Sequence, residues 1–205
     1  YGPYHEVLKW SEREMPIAKT DTAIVKTSAV SLNFPDLLVC QGLYQVKTPL
    51  PAVPGVEGIG IVESAGPSSK FQAGDRVAGF CHGGGTLAEY FAVTNNSAWL
   101  VPDFVSDEAG AALSVTYGTS YFGLAHRAHL QVGETLLVLG GAGGVGLAAI
   151  QLGKLMGATV IAAVGSQKKM EVCLNQGADH VINYKSQNLA DEVTRLTSGR
   201  RADVI

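Results

Sequence analysis

A strand, a glycine turn and a helix are written into residues 135–150, and few folds can hold them. The stretch reads Thr-Leu-Leu-Val-Leu-Gly-Gly-Ala-Gly-Gly-Val-Gly-Leu-Ala-Ala-Ile. A short apolar run comes first, then a cluster of glycines, then the apolar pattern that opens a helix. Gly141, Gly143 and Gly146 stand at G-x-G-x-x-G spacing. With only hydrogen on Cα, a backbone can turn this tightly and let a pyrophosphate come close, with Ala142, Gly144 and Val145 completing the turn. The helix after the turn aims unpaired N–H groups and its positive dipole end at those phosphates. A P-loop is excluded, because no Lys-Ser/Thr follows the last glycine. The motif points to a dinucleotide cofactor, and so to an enzyme. A glycine turn of purely structural use is the alternative.

The alternation continues downstream. Leu136–Leu139 reads as a strand, Gly143–Met156 as a helix, and Thr159–Val164 as a strand. Gln167–Asn175 reads as a helix, His180–Asn183 as a strand and Asn188–Leu196 as a helix, with another strand beginning at Asp203. Continuous apolar strands suit a parallel sheet covered on both faces, and the βα repeat predicts a doubly wound α/β fold. No charged residue lies between Glu134 and Lys154, a length that suggests a membrane span. The glycines and the strand-turn-helix pattern within it predict a buried βα unit instead. The chain ends at Ile205, inside the fourth strand, whereas a dinucleotide fold uses about six. It therefore reads as truncated at its C-terminus, and by a few residues before Tyr1.

Upstream the character differs. Ala23–Asn33, Val56–Ala65, Arg76–Phe80, Leu87–Thr94 and Ala98–Val101 read as short strands separated by Gly- and Pro-bearing turns. They predict a β-rich, partly open barrel. Ser106-Asp107-Glu108 is a helix start, with a capping hydroxyl and acids in the first turn, and the helix is expected to reach His126–Leu130. The composition break near Pro102 divides the chain into domains 1–104 and 105–205. A net charge of −3 without a Lys/Arg cluster gives nucleic-acid binding no support. Cys40, Cys81 and Cys173 form no C-x-x-C pair, which fits free thiols in a reducing compartment. The cytoplasm is the expectation, with an organelle such as the mitochondrion as the alternative.

The second strand identifies the cofactor more closely. An Asp or Glu about 20 residues past the glycine turn would bind the ribose 2′-hydroxyl of NAD. Here the strand ends Ala163-Val164-Gly165-Ser166-Gln167-Lys168-Lys169, with no carboxylate. A carboxylate would repel a 2′-phosphate, whereas a hydroxyl and two ammonium groups would bind one. NADP is expected. The alternative is that Lys168 and Lys169 are ordinary solvated helix residues.

Several motifs occur in order: Ser31-Leu-Asn-Phe-Pro-Asp36, Gln41-Gly-Leu-Tyr44, Pro54-Gly-Val-Glu-Gly58, Ala73-Gly-Asp-Arg-Val77, Thr116-Tyr-Gly-Thr-Ser-Tyr121, Gly140–Gly146 and Val181-Ile-Asn-Tyr184. On these the chain resembles the zinc-free quinone oxidoreductase branch of the medium-chain dehydrogenase/reductase superfamily, over nearly its whole length. The resemblance implies a GroES-like catalytic domain followed by a Rossmann domain. It places Asn33 and Thr119 near the nicotinamide, and Ala142–Gly146 at the pyrophosphate. It places Gly165, Ser166 and Lys169 at the 2′-phosphate, and Tyr184 beside the adenosine phosphate. Zinc-dependent relatives carry Cys where Asn33 stands and His where Val56 stands, and an amide and an isopropyl group cannot ligate zinc. They also insert a four-cysteine lobe that Phe80–Thr86 bridges directly. No metal is expected, and His126 and His129, at i, i+3, read as helix-end histidines rather than ligands.

A nicotinamide site without metal or nucleophile suits hydride transfer to an acceptor whose own conjugation takes up the charge, a quinone or an enal or enone. Tyr44 is the candidate to hydrogen-bond the acceptor oxygen or return a proton, and packing against its turn is the alternative role. Asn33 donates without titrating. Several quinone reductases have Tyr where Leu38 stands and Arg where Cys40 stands, so an enoyl-thioester or alkenal acceptor is a second expectation. A non-catalytic NADPH-binding fragment is a third. The resemblance also implies a homodimer for the full-length protein.

Overall fold

The computed structural model describes residues 1–205. They form two compact units, Tyr1–Val115 and Thr116–Ile205.

In the first unit, β1 (Thr22–Ser31), β2 (Glu57–Ala65), β3 (Arg76–Phe80), β4 (Tyr90–Thr94) and β5 (Ala98–Leu100) form one antiparallel sheet in the order β4-β1-β2-β3-β5. Side chains alternate across each strand, so one face gathers Ala23, Val25, Val62, Val77, Phe91 and Val93 into a core closed by Phe71. Two register shifts against β2 bend β1. A short helix, α1 (Tyr4–Val7), precedes the sheet. Helix α2 (Phe34–Gln41) follows β1, where hydrophobic pattern alone announces no element. Pro35 sits in its first turn, where a missing N–H costs nothing.

The helix expected from Ser106 runs to Arg127, with a turn at Ala112 and two π turns along it. Helix α3 (Asp107–Ala111) is capped by Ser106, whose hydroxyl accepts from the Ala109 N–H at 3.2 Å. A π turn spans Leu113–Tyr117, then come α4 (Gly118–Tyr121) and a second π turn, Phe122–Arg127. Gly110, Gly118 and Gly123 weaken the ladder. At the first π turn the Val115 N–H donates to the Glu57 carboxylate at 2.8 Å. Helix α3 packs Ala111 against Ile59, Ala78 and Val101 of the first unit. The compact units divide at Val115/Thr116.

In the second unit, β6 (Thr135–Leu139), β7 (Thr159–Val164) and β8 (His180–Asn183) are parallel and lie in the order β6-β7-β8. Helices α5 (Gly144–Leu155), α6 (Gln167–Asn175) and α7 (Leu189–Leu196) connect and follow them. Leu136, Val138, Val160 and Ala162 face Ile150 of α5 and Cys173 of α6. Leu137, Ile161, Ala163 and Ile182 face Val193 of α7. Both faces are covered, which is why the strands read as unbroken apolar runs. The strand expected from Asp203 is a single parallel bridge, Val204 to Leu136. That bridge lies on the edge of β6 away from β7, so the spatial order is β8-β7-β6-Val204. The order reverses at β6, and ligands of such sheets bind at the carboxyl end of that strand.

Candidate functional site

The carboxyl end of β6 runs straight into the glycine turn. Gly140 takes φ +65°, and the Gly143 N–H donates to the Gly140 carbonyl at 3.0 Å. The Gly141 N–H donates to the Ala163 carbonyl of β7 at 3.2 Å, which ties the turn to the neighbouring strand. A Cβ on Gly146 would lie 2.6 Å from the Gly140 oxygen and 2.8 Å from the Gly141 Cα. The helix can start this close to the turn only because that atom is missing.

Helix α5 then opens without a side-chain cap. Gly143 is the N-cap, and the first intrahelical bond is Leu147 N–H to the Gly143 carbonyl at 2.8 Å. The N–H groups of Gly144, Val145 and Gly146 come before it and have no helical partner. Gly143, Gly144 and Val145 are exposed, Ala142 is half-buried and Gly146 is buried, so an anion can reach the Gly144 and Val145 donors. Helix α4 braces the turn. The Ser120 hydroxyl donates to the Val145 carbonyl at 2.9 Å, and the Tyr117 hydroxyl bonds Gln151. Thr119, beside Ser120, is exposed and its hydroxyl has no partner in the chain.

The end of β7 forms a second feature. Ser166 is the N-cap of α6, yet its side chain makes no capping bond. Lys168 and Lys169 are exposed on the first turn of α6 and join no ion pair. Tyr184 reaches over Gly165: a Cβ there would meet its Oη at 2.9 Å and the Lys185 Cε at 3.3 Å. Gly165, Ser166 and Tyr184, which stand apart in the sequence, therefore share one ledge. The structure adds Lys185. Its signal in the sequence was its place next to Tyr184, as the one cation adjoining the Val181–Tyr184 motif. The donor set of turn and ledge is amides, hydroxyls and ammonium groups without a carboxylate, and it fits a dinucleotide with a phosphorylated ribose.

The candidates of the first unit are built differently. Asn33 is the N-cap of α2, and its Nδ2 donates to Glu57 Oε1 at 2.8 Å while its N–H donates to Asp36 Oδ2 at 2.8 Å. Glu57 is wholly buried, and its other oxygen holds the Val115 N–H. Asp36 is also buried, and that burial pushes its carboxyl above the usual range, with the charge of Glu57 adding to it. The Asn33 N–H acts in the opposite direction. Neither Glu57 nor Asp36 announces a role in the sequence, although a carboxylate inside the apolar run Val56–Val62 is an anomaly that asks for buried partners. Tyr44 is half-buried after the left-handed Gly42, its N–H bonds the Leu38 carbonyl at 3.2 Å, and its hydroxyl has no partner in the chain. No hydrogen bond joins Tyr44 to Asn33.

No group of three or more His, Cys, Asp or Glu side chains converges in a way that could hold a metal ion. Val56 is half-buried, and the His126 ring lies against Tyr121 and Phe122 at 5.6 and 5.8 Å between centroids.

Residues 19–103 match the family described as alcohol dehydrogenase GroES-like domain, and residues 144–205 the family described as zinc-binding dehydrogenase. A quinone oxidoreductase-like protein 2 homolog of Nematostella vectensis is 40% identical over 188 residues, which are 91% of this chain and 51% of that protein. The chain thus spans about half the length of this curated relative. Quinone oxidoreductase of Escherichia coli, solved in complex with NADPH, superposes with a TM-score of 0.88 at 31% identity, over 98% of this chain and 61% of that one. CurK enoyl reductase superposes with a TM-score of 0.89 at 27% identity, over 98% of this chain and 63% of that one.

Proposed function

Because this chain belongs to the medium-chain dehydrogenase/reductase superfamily, we propose that it carries the NADPH-binding part of a zinc-independent oxidoreductase acting on a quinone or another electron-poor conjugated carbonyl. One observation carries this reading: an uncapped glycine turn at the end of β6 stands beside a lysine-flanked ledge without a carboxylate at the end of β7. The E. coli relative that superposes on it was solved with NADPH, which supports the same cofactor here.

The free amides of Gly144, Val145 and Gly146 hold the pyrophosphate, and the small residues Gly141, Ala142 and Gly143 leave room for it. Gly165, Ser166, Lys168, Lys169 and Tyr184 hold the ribose 2′-phosphate. When bound, NADPH supplies the hydride. Thr119 offers an unpartnered hydroxyl to the nicotinamide. Asn33 is kept in one orientation by Glu57, so it positions the nicotinamide carboxamide or the acceptor without titrating. Tyr44 Oη holds the acceptor oxygen or delivers the proton that balances the hydride. No metal is needed, because the acceptor's conjugation takes up the charge.

A second reading, reduction of an enal or enoyl thioester, is favoured by Leu38 and Cys40. Both are half-buried on α2, and neither offers the acceptor a charged or phenolic contact. The likeness to an enoyl reductase supports it. The test is NADPH oxidation by a full-length protein carrying this chain, with 1,2-naphthoquinone and with a 2-alkenal. Turnover of the first supports the leading reading and of the second alone the alternative. NADPH binding with no turnover of either would leave a non-catalytic NADPH-binding protein.

A further inference from the structure

The turn after β8 is held by hydrogen bonds to both the backbone and the side chain of Asn183. The Tyr184 N–H extends the parallel ladder to the Val164 carbonyl at 3.1 Å. Asn183 then organises the rest of the turn. Its side chain accepts from the Lys185 N–H at 3.1 Å, and its carbonyl accepts from Ser186 and Gln187 at 3.0 and 2.9 Å. The Gln187 side chain closes the loop onto the Asn183 N–H at 2.9 Å. The result is that Tyr184 and Lys185 both project over Gly165. The Lys185 Cε lies 3.3 Å from where a Cβ of residue 165 would be, so its ammonium, one bond of about 1.5 Å further on, lies within about 5 Å of that point. Lys185 forms no ion pair in the chain.

We propose that Lys185 is a specificity-determining residue, its ammonium closing the side of a phosphate-monoester subsite that Ser166 and Lys169 open across Gly165. This rests on the NADPH reading and deepens it. A phosphate monoester carries nearly two charges near neutral pH, and cations facing it from two sides neutralise them better than a pair on one helix turn. Gly165 belongs to the same device. Any side chain there would fill the space into which Tyr184 and Lys185 lean.

The test is cofactor affinity, read by fluorescence titration with NADPH and with NADH, and by displacement of NADPH with 2′,5′-ADP. Lys185→Ala should weaken NADPH and 2′,5′-ADP about tenfold at low salt, the lower end for a charge-assisted contact, since the site is open to water. NADH should change less than twofold, and Lys185→Arg should restore most of the loss. Lys185 is exposed, so the melting temperature without ligand should stay put. Unchanged NADPH affinity, or equal losses for both cofactors, would show a solvated lysine with no part in recognition. If the unaltered protein binds NADPH over NADH while Lys185→Ala does too, the inference alone fails. If the unaltered protein does not prefer NADPH, the cofactor reading fails with it.

Discussion

Asp36 and Glu57 place two carboxyl groups in the interior of the first unit, and they differ in how they are accommodated. Glu57 accepts one amide from a side chain and one from the backbone, each at 2.8 Å. Asp36 accepts the Asn33 N–H, and burial with the nearby charge of Glu57 still raises its pKa. A raised folded pKa means that the folded state binds the Asp36 proton more tightly than the unfolded state. The stability linked to Asp36 is therefore full at low pH. It falls as pH rises from the ordinary carboxylate value through the raised one, and is constant above both. Asp36→Asn keeps an oxygen for the Asn33 N–H and removes the titration. Its stability, measured by urea unfolding across that interval, should lose this downward slope relative to the unaltered protein. An unchanged slope would show that Asp36 carries no such linkage.

At the scale of the element, the β6–turn–α5 unit separates two uses of glycine. A Cβ at Gly146 would sit 2.6 Å from a backbone oxygen, so the helix would have to move off the turn. A Cβ at Gly143 would meet nothing closer than 3.5 Å, and the Gly143 backbone has φ −85°. Gly146→Ala should cost roughly 1–3 kcal/mol in urea unfolding, the range for overpacking. Gly143→Ala should change stability by less than about 0.5 kcal/mol, as surface changes do. It should nevertheless weaken NADPH, because its new methyl group stands on the exposed side of the turn. Equal unfolding midpoints for the two variants would contradict this division. The helical stretch after Ser106 shows the opposite balance of local and tertiary forces. Its cap forms as its sequence demands, but Glu57, far away in the chain, takes the Val115 amide and the ladder widens into a π turn.

Across the whole molecule, two units each close their own core, and no helix is long and apolar enough to cross a membrane. The uncharged stretch after Glu134 is divided among strand β6, the glycine turn and most of helix α5, which is how such a run can be buried in protein. If the turn and ledge hold NADPH, ligand binding adds to the stability of the folded state by mass action. NADPH at a hundred times its Kd should add about 2.7 kcal/mol, seen as a rise in melting temperature, and NADH at the same concentration should add clearly less. Equal shifts from the two cofactors would argue against a 2′-phosphate subsite.

The order of strands and helices in the second unit, its parallel sheet and the glycine turn were determined by local patterns, namely unbroken apolar runs, turn glycines and capping residues that act within a few positions of one another. So was the absence of an acid at the end of β7. Three things were decided only by tertiary structure. Glu57 became the anchor of Asn33, Lys185 came to lie over Gly165 across two elements, and the helix after Ser106 widened into a π turn where a distant carboxylate holds its backbone. Each depends on residues about 20 or more positions apart, and periodicity carries no information about which side chains the chain brings together at that range. At Glu57 burial made the difference: a carboxylate removed from water must find a partner wherever the fold offers one.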